Sequence, residues 1–135
     1  PRPPKEIILF VPQALPQPGS SLCPKPMGEI NQLTEAILRF RNERDWAQFH
    51  NAKDLAAGLS IEASELLEQF LWKQPNEADP AKVQAELADV LIFALLLAHE
   101  QKIDLTQAIT QKLAENAVKY PVEKAKGRST KYDEL

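Results

Sequence analysis

The sequence has 135 residues, which is enough for one domain with a sizeable core. Apolar residues make up 44% and charged residues 26%, and the formal net charge of -3 gives no overall positive field for nucleic acid or an anionic membrane. The single cysteine, Cys23, excludes an internal disulfide framework, no apolar run reaches the roughly 20 residues of a membrane span, and we expect a cytoplasmic protein.

Prolines are concentrated at the start of the chain, where eight of the eleven lie within the first 26 residues. Each internal proline removes a helix donor and clashes with the preceding turn. Residues 1–28 are therefore predicted to be a proline-rich arm or linker, either an ordinary flexible terminus or sequence upstream of the fold. The remaining residues, 29–135, are predicted to form one helical domain.

Two helices are predicted in the first half of this domain. Apolar residues at helical spacing indicate a helix from Glu29 to about Arg44. A second helix is predicted from about Ala52 to Lys73, with Asn51 as its N-cap.

Two more helices follow the segment "KQPNEADP". Asp79, followed by proline at the first helical position, starts a third helix that runs to about Gln101. Asp104 with Gln107 three residues later resembles a capping box and starts a fourth helix, which ends before Pro121. No segment after the arm alternates with a period of two, so the sequence predicts an all-α, four-helix bundle.

Two pairs of carboxylates stand out because they lie beside the apolar faces of successive helices. Glu62 and Glu65 are three residues apart on the second helix, and Glu86 and Asp89 repeat that spacing on the third. Residues at this spacing project from one side of a helix. Both pairs are predicted to face the interior of the bundle or its rim.

The third helix is apolar on nearly every side. From Leu87 to Ala98 its only charged side chain is Asp89. Such a helix must be covered on nearly all sides, which four helices of one chain do not achieve. We therefore expect a homo-oligomer, a dimer or a tetramer, in which helices of two chains pack together.

Four carboxylates near a core repel one another and need a counter-charge. An all-carboxylate set suits hard divalent ions, so Mg²⁺, or alternatively Mn²⁺, is the predicted cofactor. A di-iron bundle would place histidine three residues after a glutamate, and neither His50 nor His99 has that spacing. The remaining alternative is that the acids are solvated or salt-bridged surface charges.

The E-x-x-E and E-x-x-D pattern resembles the MazG-like, all-α nucleoside triphosphate pyrophosphatases. The segments "RDWAQFH", "FLWK", "ELADVLIF", "KYP" and "STKYDEL" look like the dCTP pyrophosphatase branch of that family. The resemblance covers about Ile30 to Leu135.

This resemblance implies Mg²⁺-dependent hydrolysis of deoxynucleoside triphosphates, with dCTP or a related nucleotide as substrate, to the monophosphate and pyrophosphate, as house-cleaning of the nucleotide pool. It also implies a helical bundle that assembles as a dimer or as a tetramer of paired dimers. Glu62, Glu65, Glu86 and Asp89 would hold magnesium. Glu62 and Glu65 would be the catalytic residues, with Glu62 as the proton acceptor. The alternative function is a non-catalytic helical dimerisation or nucleotide-sensing module.

Further residues match the family and can be assigned to substrate binding. Trp46 and Trp72 could stack on a nucleobase, although tryptophans at helix ends also serve as core packing. His50 could donate a hydrogen bond to a base or phosphate. The other candidates are Lys73, Phe93, Lys112, Asn116, Lys119, Tyr120, Lys126, Arg128 and Lys131.

The chain departs from the family pattern at several positions. Ile61 and Ser64 stand where many members have glycine, which we expect to change packing and not the metal site. Phe93 replaces a tyrosine and Ile37 replaces a histidine found in some dCTP-selective relatives. The preferred base is therefore left open.

Overall fold

A computed structural model describes residues 28–134, and within that range the chain is entirely helical with no strand. The all-α prediction is confirmed. The predicted arm lies outside the described residues except for Gly28. The helices are α1 (Glu29–Glu43), α2 (Ala52–Glu68), α3 (Pro80–Glu100), α4 (Leu105–Lys119) and the short α5 (Val122–Ala125), with 3₁₀ turns at Trp46–Phe49 and Tyr132–Glu134.

Three helix starts are built as the sequence predicts. At each one a side-chain oxygen of the N-cap residue accepts a hydrogen bond from a backbone amide of the first turn, which satisfies a donor that has no partner within the helix. Proline at the first position of α3 has no amide hydrogen to satisfy. The caps join Asn51 to the Asp54 amide, Asp79 to the Ala81 amide and Asp104 to the Gln107 amide, each at 3.0 Å.

The predicted end of the second helix is wrong, because α2 stops at Glu68 and not at Lys73. The amides of Gln69, Phe70 and Leu71 donate to carbonyls three residues back, which tightens the chain out of the α-helix. Trp72 then adopts a left-handed conformation with φ of 61°. This reversal directs the chain away from the helix axis before Pro75.

The chain forms two compact units, one ending at Gln101 and the other beginning at Lys102. The first unit contains α1, α2 and α3, and the second contains α4, α5 and the C-terminal 3₁₀ turn. All four predicted helices are thus present.

The core of the first unit lies where α1 and α2 pack against α3. Burial of these apolar side chains supplies the main stabilisation of the unit. The core consists of Leu38, Leu55, Phe93 and Leu96, with Ile37, Leu59, Ile92 and Leu97 packed around it.

One glycine allows α2 and α3 to approach closely. A Cβ atom at Gly58 would lie 2.7 Å from Cδ1 and 3.0 Å from Cζ of Phe93, and closer still to Cε1. Ordinary carbon contacts are about 3.5–4.0 Å. Since Phe93 is buried and its other neighbours include the ring of His50, it has little room to move aside.

Gly58→Ala is therefore expected to destabilise the protein, although alanine gains about 1 kcal/mol of helix propensity over glycine. Overpacking of a core costs about 1–3 kcal/mol and outweighs that gain. Urea unfolding measures the change, and Phe93→Leu in the same chain should relieve it. Ser60→Ala, at an exposed position of α2, is the matched control. A more stable Gly58→Ala protein would contradict the close approach.

Candidate active site

The contact between Gly58 and Phe93 fixes how α2 and α3 lie side by side. Four residues further along α2 is Glu62, and four residues back along α3 is Asp89. Four residues advance a helix by about one turn, or 6 Å. Because Gly58 meets Phe93 and Glu65 meets Glu86, seven residues forward on α2 correspond to seven residues back on α3. The two helices therefore run antiparallel, and Glu62 and Asp89 lie about one turn beyond the glycine contact.

Glu65 and Glu86 occupy the next position along the same two helices. Glu62, Glu65 and Glu86 are half-buried, and each offers a carboxylate oxygen within 4.8 Å of those of the other two. The structure therefore brings together side chains from two different helices. Glu65 and Glu86, for example, are 21 residues apart in the sequence. This convergence is what the matched spacing on two helices predicts.

Asp89 lies beside this group of three. Its Oδ1 atom is buried and has no hydrogen-bond partner in the part of the chain that the structure describes. Burial, with the charges of Glu86 and Glu65, raises the pKa of Asp89 from 3.8 to about 6. A buried carboxylate oxygen without a partner is costly, so it indicates a group that is completed by a ligand.

Glu62 shows the same effect more strongly. Burial raises its pKa from 4.5 to about 7, and the neighbouring charges of Glu65, Asp89 and Glu86 act in the same direction. Without a counter-charge, Glu62 is therefore about half protonated near neutral pH.

The described residues do not supply that counter-charge. Among residues 28–134, no lysine, arginine or histidine nitrogen lies within the 4.0 Å of an ion pair with any of the four carboxylates. The group also contains no histidine or cysteine, which are ligands for softer metals. Its all-oxygen composition, its spacing and the unpartnered Asp89 oxygen fit a hard divalent cation such as Mg²⁺ or Mn²⁺.

The raised pKa values predict how the stability of the metal-free protein depends on pH. Because folded Glu62 and Asp89 bind protons more tightly than the unfolded chain does, their protonation stabilises the fold below pH 4 to 5. That contribution is lost as the pH rises through about 6 to 7. Thermal unfolding with a chelator should show a higher melting temperature at pH 5 than at pH 8.

Glu62→Gln should flatten this dependence, because the variant has no carboxyl group to titrate at that position. Mg²⁺ should raise the melting temperature mainly at pH 8, where the carboxylates are ionised. A wild-type melting temperature that increases steadily from pH 5 to pH 8 in chelator would contradict the assigned cluster.

His50 lies next to Phe93 of α3. It is 6% exposed, its ring centroid is 6.5 Å from that of Phe93, and neither ring nitrogen has a hydrogen-bond partner among the described residues. Burial, with the charge of Arg41, lowers the pKa of His50, which favours the neutral imidazole. A neutral ring offers one donor and one acceptor to a bound group.

The two tryptophans have different environments. Trp46 is half-buried and its ring packs edge-on against Phe40 of α1, with centroids 5.9 Å apart. Trp72 is 99% exposed just beyond the end of α2. Lys73 is also exposed, and its Nζ atom donates to the carbonyl of Gln69 at 3.1 Å.

The remaining candidates belong to the second unit. Lys112, Asn116 and Lys119 share one side of α4. Tyr120 packs against Tyr132 of the C-terminal turn, with ring centroids 6.0 Å apart, and Lys119 Nζ lies 5.5 Å from the centre of the Tyr132 ring. Two lysines form ion pairs, Lys112 with Glu115 at 3.3 Å and Lys131 with Asp133 at 3.6 Å. Lys126 and Arg128 are exposed.

Sequence reasoning missed three residues that shape these neighbourhoods: Gly58, Arg44 and Tyr132. An isolated glycine inside a helical pattern is a signal of close packing. Tyr132 lies within the quoted segment "STKYDEL", but only the folded tail brings it to Tyr120.

None of the helices in residues 28–134 is long and apolar enough to cross a membrane.

Comparison with known proteins places this chain among relatives of one kind. The model of the MazG-like family matches residues 58–135. Mouse dCTP pyrophosphatase 1 is 40% identical over 118 residues, which span 82% of this chain and 69% of the mouse protein. The human protein of the same name is 37% identical over 123 residues, or 85% of this chain and 71% of its own length.

A solved structure adds the fold. A pyrophosphatase from Archaeoglobus fulgidus superposes with a TM-score of 0.67 at 33% sequence identity, covering 74% of this chain and 99% of the archaeal one. The family identified from the paired acidic motifs is therefore confirmed. With an all-helical fold, converging carboxylates and these relatives, the chain belongs to the MazG-like family.

Proposed function

We propose that this protein is a Mg²⁺-dependent nucleoside triphosphate pyrophosphatase that hydrolyses dCTP or a related deoxynucleotide to the monophosphate and pyrophosphate. The observation that carries the proposal is the convergence of three glutamate oxygens beside the unpartnered Asp89 oxygen, to which no cationic side chain within residues 28–134 is paired. The names of the mouse and human relatives support the substrate and the reaction. The role would be house-cleaning of the nucleotide pool, in the cytoplasm.

Glu62, Glu65, Glu86 and Asp89 would hold the ion, which is Mg²⁺ or alternatively Mn²⁺. A bound divalent ion neutralises phosphate charge and polarises the phosphoryl group for attack by water. Glu62 would accept the proton of that water through a carboxylate oxygen that the ion leaves free. Glu65 would be the second catalytic carboxylate, because it would hold the divalent ion in place.

The nucleobase would stack on tryptophan, since each aromatic stack on a base is worth about 1–3 kcal/mol. Phe93 lies one helical turn from Asp89 on α3, and its ring neighbours that of His50, so both rings would contact the nucleotide held at the carboxylates. Cationic and polar groups would neutralise and orient the triphosphate, and the candidates for that role are Lys73, Lys112, Asn116, Lys119, Tyr120, Lys126, Arg128 and Lys131.

A second copy of the chain would complete the bundle. Leu87 and Leu91 are 46% and 55% exposed and lie one turn apart on the side of α3 away from the carboxylates. Leaving both in water is unfavourable, and an apolar patch of this kind marks an interaction site. Homo-oligomerisation, as a dimer or a tetramer, buries it.

Leu91→Glu combined with Leu87→Glu is expected to dissociate the oligomer, because it places two charges in an apolar interface. Light scattering coupled to size exclusion gives the mass of each form. Lys82→Glu, at an exposed position of the same helix, is the control for added negative charge. A monomeric wild-type protein would contradict the proposed assembly.

The proposed activity is tested by measuring pyrophosphate release from dCTP, 5-methyl-dCTP, dTTP, dATP and dGTP, with Mg²⁺ and with chelator. We expect release that requires the ion, with dCTP or its modified form among the best substrates. The panel also determines the base preference, which Phe93 and Ile37 leave open. Binding of nucleotides without turnover of any of them would instead support a nucleotide-sensing module.

A further inference from the structure

The corner between α1 and α2 is built around the side chain of Arg44. This residue follows the last turn of α1 and folds back over it, so that its Nη1 atom donates to the carbonyl of Phe40 at 2.9 Å. The same movement puts the guanidinium carbon 3.6 Å from the centre of the Phe40 ring. The planar cation therefore stacks on an aromatic face while satisfying a carbonyl at the end of the helix.

Trp46 completes this cluster. Its ring meets Phe40 at an interplanar angle of 73°, and the guanidinium carbon of Arg44 lies 5.9 Å from its centre. Edge-to-face pairs of this separation are favourable, and the cation is attracted to both rings. We call Phe40, Arg44 and Trp46 the aromatic corner.

The backbone between Arg44 and Trp46 is also fixed. Asp45 is left-handed, with φ of 55° and ψ of 29°, and this turns the chain back towards α1. The Nε2 atom of Gln48 donates to the backbone carbonyl of Asp45 at 3.0 Å and to its carboxylate at 2.9 Å. Aspartate tolerates this conformation better than most residues, and the two hydrogen bonds hold it.

We propose that Arg44 is a positioning residue that holds the Trp46 indole, through Phe40, in the orientation in which it stacks on the nucleobase. The inference rests on the proposed function, which assigns base stacking to Trp46. A half-buried indole can rotate about its side-chain bonds unless its neighbours hold it. Stacking of Arg44 removes that freedom before the nucleotide binds. The entropy cost of ordering the indole therefore does not reduce the binding free energy of the nucleotide.

The chemistry of Arg44 is specific to arginine. Lysine keeps the charge but lacks the planar, forked group that can stack on Phe40 and donate to its carbonyl together. The ion pair of Arg44 with Glu43 is 3.6 Å long and exposed, so it contributes little. Arg44→Lys should therefore resemble Arg44→Met more than the wild type.

A double-mutant cycle with Trp46→Ala separates positioning from direct contact with substrate. Arg44→Met is expected to raise the KM for the nucleotide about threefold to fivefold, the size of one exposed cation–π contact, with kcat within about twofold. In a Trp46→Ala chain the same change should have no further effect on KM, because the residue it positions is absent. Arg39→Met, at an exposed position of α1, is the matched control and should leave KM unchanged.

Each outcome of the cycle has a distinct meaning. If Arg44→Met raises KM equally in both backgrounds, the guanidinium contacts the substrate itself and the positioning role is wrong. If Trp46→Ala raises KM but Arg44→Met does not, the positioning role fails while the proposed function stands. A normal KM for Trp46→Ala removes base stacking from the proposed function and this inference with it. Should Arg44→Met fail to fold, Arg44→Lys takes its place with the same interpretation.

Discussion

Replacing Glu65 by glutamine is expected to lower kcat/KM by about a thousandfold, and Asp89→Asn is expected to do the same. Each change removes a negative oxygen from a group that would hold the catalytic cation, and electrostatic stabilisation by a metal is worth several kcal/mol. Neither variant should lose the fold, because the carboxylates repel one another without metal and their removal relieves that repulsion. Steady-state kinetics and thermal unfolding in chelator measure the two effects.

The control for these variants is Glu68→Gln, which removes a carboxylate from an exposed position of α2. It should retain wild-type turnover. Titration with Mn²⁺ followed by electron paramagnetic resonance adds a readout independent of activity, since Glu65→Gln should weaken ion binding and Glu68→Gln should not. Near wild-type turnover of either Glu65→Gln or Asp89→Asn would end the assignment of the metal site.

The second large effect is expected when subunits of two impaired variants, Glu65→Gln and Trp46→Ala, are mixed. Trp46 precedes α2 and packs on α1, whereas Trp72 lies just beyond the other end of α2. A helix of 17 residues is about 25 Å long, so one nucleobase cannot contact both indoles of one chain. A site that takes its metal from one subunit and Trp46 from another would resolve this.

If the site is shared in this way, a mixture of Glu65→Gln and Trp46→Ala subunits regains activity. Half of the dimers formed by random exchange are mixed, and each has one intact site, so turnover should reach about a quarter of the wild-type value. The assay uses substrate below KM, where loss of a stacking contact has its full effect. Differently tagged subunits verify the exchange, and verified exchange without recovery would locate each complete site within a single chain.

The helix starts and the acidic group were predictable because both depend on local geometry. A cap residue before proline defines the start of α3, and a spacing of three residues puts two carboxylates on one side of a helix. The apolar stripes of both helices then indicated that both pairs face the interior of the bundle or its rim. The convergence of Glu62, Glu65 and Glu86 follows from these rules and from the antiparallel packing.

The end of α2 and the surroundings of His50 were not predictable in the same way. Residues 69–73 contain no glycine or proline to stop a helix, and the chain leaves it through tightened turns and the left-handed Trp72. The burial of His50 against Phe93 depends on the close approach of α2 to α3 at Gly58. That approach is a contact between residues far apart in the sequence. The aromatic corner likewise depends on a left-handed Asp45 that no residue propensity requires.

We propose that the paired carboxylates on α2 and α3 hold a divalent ion that supports pyrophosphate release. The most direct measurement is the ³¹P NMR spectrum of dCTP during incubation with the protein, first in chelator and then after addition of Mg²⁺. We expect an unchanged triphosphate in chelator, and equal amounts of dCMP and pyrophosphate once Mg²⁺ is present. Formation of dCDP and inorganic phosphate, or hydrolysis that proceeds equally well in chelator, would contradict it.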